Sequence, residues 1–134
     1  MPIHFTVCPS TRLVAYSVEG PVTPEDAREF LQAIVGHSHF RRGYSVLGDA
    51  GGTDCEPDAA FDHALARAVR ALSHLLGPCR WAVVVPSEVG RGMVRMWSSL
   101  TRGTEVRAAP FATRGAAAQW LQAGMGERAV LNGR

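Results

Sequence analysis

The chain has 134 residues and a mass of 14.4 kDa, about one ordinary domain with a single core that needs neither disulfides nor metal to fold. Hydrophobic residues make up 46% and charged residues 19%, which excludes a disordered tail or a coiled coil. The net charge of +2 hides an asymmetry: residues 1–62 carry four arginines against nine acids, a balance of −5, and residues 63–134 carry ten arginines against three acids, a balance of +7.

From the first residue, Met1-Pro2-Ile3-His4 has neither the basic start nor the apolar stretch of an export signal. No apolar run approaches the roughly 20 residues of a bilayer span, so no membrane span is expected and the expected address is the cytoplasm. Residues 3–8 alternate Ile3, Phe5 and Val7 with His4, Thr6 and Cys8, the pattern of a half-buried strand. A turn cluster at residues 9–12 and a second strand over residues 13–19 make an antiparallel hairpin. Gly20-Pro21 breaks it. Thr23-Pro24-Glu25-Asp26 then starts a helix, with a hydroxyl N-cap, proline at the first position and acids at the positive end of the dipole. Its apolar stripe is Ala27, Phe30, Leu31, Ile34 and Val35, ending near Gly36.

A polar loop leads to a short third strand, Tyr44 to Leu47, followed by the flexible stretch Gly48-Asp49-Ala50-Gly51-Gly52. Pro57 is expected to open a second helix with a core face of Phe61, Leu65, Ala68, Val69, Leu72 and Leu76, leaving Asp58, Asp62, His63, Arg67, Arg70 and His74 mostly outside. Gly77-Pro78 ends it. The run Trp81 to Val85 is apolar throughout, as in an interior strand covered on both faces, and is expected to be the central one. Pro86-Ser87-Glu88 leads into a third helix with Val89, Met93, Met96, Trp97 and Leu100 on one side and Arg91, Arg95 and Arg102 on the other. A strand over residues 105–111, with Pro110 pointing to an edge, and a helix near residues 114–124 complete the order β-β-α-β-α-β-α-β-α. Trp81, Trp97 and Trp120 occupy apolar positions expected in the core. The crossovers demand mostly parallel neighbours, hence one α/β domain with a mixed sheet. Residues 1–124 are expected to form it and 125–134 a frayed tail.

The succession of hairpin, helix, strand ending in Asp49, long helix, apolar strand Trp81 to Pro86, then Gly90-Arg91-Gly92-Met93-Val94-Arg95-Met96-Trp97 and Ala117-Ala118-Gln119-Trp120-Leu121, resembles the SpoIIAA-like branch of the STAS superfamily. That superfamily has the fold of bacterial anti-sigma-factor antagonists, and the resemblance covers roughly residues 3 to 122. It implies a mixed sheet of about five strands with about four helices. It also implies a non-enzymatic domain that binds a protein partner, a second copy of itself included, or, as in lipid-carrier-like cousins, an apolar ligand. The antagonists carry an Asp-Ser-Ser-Gly phosphorylation motif where this chain has Thr53-Asp54-Cys55-Glu56-Pro57. With one hydroxyl and no Ser-Ser-Gly, a kinase-controlled switch is not expected.

In a parallel sheet, ligands gather beyond the carboxyl ends of the strands, so the loops after strands three and four should share a rim. That rim would hold Asp49, Thr53, Asp54, Ser87, Glu88 and Arg91, with Arg95 one helical turn on, and could receive a small polar or anionic ligand at a helix start. The residue types favour a plainer alternative, in which Asp49 caps a turn, Ser87 or Glu88 caps helix three and Arg91 is solvated. Catalysis by Asp49 with Arg91 or Arg95 would need a cleft that brings them together. The same helix offers a carrier alternative, with Met93, Met96 and Trp97 walling an apolar pocket against the sheet.

Other motifs subtract. Gly90-Arg91-Gly92-Met93-Val94-Arg95 lacks the third glycine of a dinucleotide fingerprint, and a chain without lysine has no P-loop. His37-Ser38-His39 lacks further metal ligands nearby. Cys8, Cys55 and Cys79 are an odd set without CxxC, expected as reduced thiols, and Cys55 between two acids is a poor nucleophile. No catalytic residue, cofactor or metal is expected. The arginines lack aromatic or recognition-helix signatures, so nucleic acid is not an expected partner.

Overall fold

The structure, a computed structural model, describes residues 2–50 and 59–132. Its elements follow the predicted order: β1 (Ile3–Cys8), β2 (Leu13–Val18), α1 (Pro24–Val35), β3 (Ser45–Asp49), α2 (Ala59–Leu76), β4 (Cys79–Val84), α3 (Glu88–Leu100), β5 (Val106–Phe111) and α4 (Arg114–Asn132). Pro57, expected to open the second helix, lies outside the described residues.

Local chemistry accounts for the boundaries. Thr23 and Asp26 form a reciprocal capping box at α1: the Asp26 N–H donates to Thr23 Oγ1 at 3.1 Å and the Thr23 N–H to Asp26 Oδ2 at 2.8 Å. Ser87 caps α3, its Oγ accepting from the Gly90 N–H at 3.0 Å. At α4, Thr113 Oγ1 accepts from the Ala116 N–H at 3.2 Å.

The strands lie in the order β1-β2-β3-β4-β5. β1 and β2 are antiparallel, with Phe5 opposite Tyr16, and every later pair is parallel. β3 is therefore the middle strand, while β4, expected there, is interior but one place over. Pro110 sits on the edge strand β5, where a missing N–H costs least. Because the strands step uniformly in one direction, right-handed crossovers place α1, α2 and α3 on the same face. The larger core, with Phe30, Leu31, Ile34, Val69, Trp81 and Trp97, lies beneath them. α4 covers the other face through Ala117 and Leu121 against Leu47, Ala82 and Val84.

Four expectations are corrected. α4 runs to Asn132, past the stop predicted at Gly124. A Cβ at Gly124 would come within 2.4 Å of the Arg80 side chain, so this glycine marks a close approach and not a helix end. Trp120 is only half-buried, next to Phe111 and beneath the Arg80 guanidinium, 4.9 Å from its ring. Asp62, placed outside the core face, is buried at 5% exposure. Val89 is 64% exposed; the inward stripe of α3 is Gly90, Met93, Val94 and Trp97, rotated by one residue from the prediction. Apolar counting missed this because Gly90, with no side chain, holds the closest contact: a Cβ there would lie 2.2 Å from Val85 Cγ1.

Candidate functional site

A cavity of about 320 Å³ opens between the sheet and α1–α3. Tyr16, Val18, Val83 and Val85 supply its floor. Phe30 of α1, Phe61, Asp62 and Leu65 of α2, and Gly90, Met93, Val94 and Trp97 of α3 supply its walls. Ala50, Pro86 and Ser87 place its mouth at the carboxyl ends of β3 and β4. At one side stands a set of rings meeting largely edge to face: Tyr16 with Phe30 at 4.8 Å, Phe30 with Trp81 at 6.2 Å and Trp81 with Trp97 at 5.0 Å. Gly48 makes room for this arrangement, since a Cβ there would fall 2.2 Å from the Tyr16 ring.

The lining is apolar apart from a few groups. Trp81 Nε1–H donates to the Tyr16 hydroxyl at 2.9 Å. Burial raises the pKa of that phenol above its ordinary value, and the Trp81 hydrogen bond offsets this only in part, so it stays protonated at neutral pH. Asp62 brings a carboxyl into the wall. The Trp97 indole N–H is buried and has no hydrogen-bond partner among the described residues.

The predicted rim residues separate. Ser87 lines the mouth and caps α3. Arg91 bends back, its Nη1 donating to the Val85 and Pro86 carbonyls at 3.0 and 2.7 Å. Glu88 and Arg95 are exposed on α3. Asp49 lies on the α4 face, where Arg114 approaches its Oδ2 at 3.5 Å. Thr53 and Asp54 lie outside the described residues, as does Cys55. Asp49 is thus on one face of the sheet, and the helix bearing Arg91 and Arg95 packs on the other. Of the predicted pocket walls, Met93 and Trp97 line the cavity and Met96 does not. The His37 Nδ1 accepts from the His39 N–H at 3.1 Å, which occupies one nitrogen of that pair within the loop. No group of three or more metal-binding side chains, and no helix long and apolar enough to cross a membrane, occurs among the described residues.

Asp62, Gly90 and Val94 were missed as lining residues. The spacing 90, 93, 94 and 97 is a helical stripe and could have been found by counting glycine as an inward position. No sequence signal marks Asp62, which sits beside Phe61 on a broad buried face.

No curated protein matches the chain. Among solved structures, an uncharacterized protein of the DUF3478 family with a SpoIIAA-like fold, from Shewanella loihica PV-4, superposes with a TM-score of 0.60 at 17% identity. The alignment covers 89% of this chain and 93% of that one, and shows a shared fold. The model of the SpoIIAA-like family matches residues 13–122, from the second strand of the hairpin into the last helix. The chain belongs to the SpoIIAA-like family, within the STAS superfamily.

Proposed function

We propose that this protein is a non-enzymatic, cytoplasmic binding domain that holds a small apolar molecule between its sheet and α1–α3. The observation that carries the reading is the cavity itself, about 320 Å³ and lined mainly by aliphatic and aromatic side chains. That is the form of a small-molecule site, concave and apolar with few polar groups. Met93 suits such a wall because its unbranched side chain repacks around varied shapes. Of Asp49, Thr53, Asp54, Ser87, Arg91 and Arg95, the reading needs only Ser87, at the mouth. The separation of Asp49 from both arginines supports binding without turnover. Native mass spectrometry and Nile red titration test the proposal. The expected results are retention of a small apolar molecule or one-to-one dye binding, and loss of the dye in Val94→Trp, which fills the cavity. A folded protein that takes up neither dye nor hydrocarbon would end the proposal.

A second reading is that the domain docks a protein partner or a second copy of itself. β1 favours it, because among the described residues β2 is its only strand neighbour and an open edge is a template for pairing. The opposite charges of the two halves of the chain would steer such association. Light scattering at low and moderate ionic strength tests the self-association form: a monomer mass under both conditions removes it.

A further inference from the structure

Resting on the cavity reading above, we infer which protein atom anchors the bound molecule and what that molecule carries: the Tyr16 hydroxyl donates a hydrogen bond to a carbonyl oxygen, of a ketone or an ester, on an otherwise apolar compound. Tyr16 is a half-buried residue of the cavity floor. Its ring lies across β3, since a Cβ at Gly48, its register partner, would fall 2.2 Å from Tyr16 Cζ and 2.3 Å from the hydroxyl oxygen. Gly48 is in turn in register with Val83, and Ala50 follows two residues on; both line the cavity. The hydroxyl is therefore carried over β3, between the β2 and β4 residues that make the floor. Trp81, two residues before Val83 on β4, donates to it at 2.9 Å and is not itself a lining residue. The side of the oxygen away from Trp81 is the cavity side.

The hydrogen bonds of this phenol are half made. A hydroxyl both accepts and donates, whereas an indole only donates. Trp81 thus uses a lone pair of the Tyr16 oxygen and cannot take its hydrogen, for which no acceptor occurs among the described residues. Burial keeps the phenol protonated at neutral pH, so the hydrogen is there to be donated. In an apolar space a donor without a partner costs free energy, and a carbonyl oxygen on the ligand recovers it. An alkane would fill the same space and leave the hydrogen unpaired.

Displacement of Nile red by methyl octyl ketone and by decane, from the intact protein and from Tyr16→Phe, tests this. The ligands differ by one carbonyl and the proteins by one hydroxyl, so the cycle isolates their contact from changes in cavity shape and from ligand hydrophobicity. Tyr16→Phe should weaken the ketone about tenfold more than decane, the yield of one hydrogen bond in a dry site. Should that variant fail to fold, the infrared carbonyl stretch of the isotope-labelled ketone on the unaltered protein decides. It should lie at lower wavenumber than for the ketone dissolved in decane. It should fall further when both tyrosines are replaced by a fluorotyrosine with its halogen beside the hydroxyl, a stronger donor; Tyr44, the second tyrosine, does not line the cavity. Equal effects of Tyr16→Phe on both ligands, a stretch as in decane, or a stretch indifferent to fluorine overturns the inference and leaves the cavity reading standing. If neither ligand displaces the dye, or the dye never binds, the cavity reading fails and this inference with it.

Discussion

The two faces of the sheet solve the same packing problem with different residues. Under α4, Leu47, Ala82, Val84, Ala117 and Leu121 form a small aliphatic core, with Ala82 and Ala117 wholly buried and the Phe111 and Trp120 rings only half-buried against it. Under α1–α3, Phe30, Trp81 and Trp97 dominate, and Trp81 meets Tyr16, Phe30 and Trp97 at interplanar angles of 76°, 77° and 67°. Small aliphatic groups interdigitate and fill space at native density. Rings meeting edge to face are attractive pairs. The hollow opens beside them, at the strand ends where Gly90, Ala50 and the valines add little bulk.

That contrast can be broken most forcefully at its centre. Trp81→Ala removes the ring that Tyr16, Phe30 and Trp97 all touch, and should cost about 4 kcal/mol in urea denaturation. A loss near that of a surface substitution would mean the aromatic set does not hold this face together. Next, Leu47→Ala should open a void in the aliphatic cluster and cost about 3 kcal/mol, whereas Met93→Ala widens an existing hollow from a half-buried position and should cost about 1 kcal/mol. Equal losses at these two sites would erase the distinction between the faces.

Gly90→Ala sharpens the comparison at the mouth. The added methyl meets Val85 Cγ1 and Ser87 Oγ, at 2.2 and 2.8 Å before relaxation, so a cost of about 2 kcal/mol with weakened dye binding is expected. Ser87→Ala removes the cap of α3 and should cost about 1 kcal/mol by the same assay. Smallest of all, Asp49→Asn should change stability by less than about 1 kcal/mol and leave dye binding untouched. Its contact with Arg114 is exposed and lies on the face without the cavity.

Much of the architecture was legible because it is local. Alternation marked β1, the Thr23 and Pro24 start marked α1, and Gly77-Pro78 marked the end of α2. The rim rule points to the carboxyl ends of β3 and β4, and the cavity mouth is there, but the rule carries no information on the hollow that runs back under the helices. Val89 illustrates the other limit: it has the hydropathy of a core residue, yet the close fit of Gly90 on Val85 turns it outward.

By itself, the sequence determined which segments are strands and helices, their order and the apolar stripes they bury, because caps, turns and periodicity act between residues a few positions apart. The tertiary structure decided which strands are neighbours, that Asp62 and Trp97 share a wall, and that space remains between them. A cavity is a mismatch among the shapes of side chains as distant in sequence as Tyr16, Phe61 and Trp97, and no pattern along one segment records it.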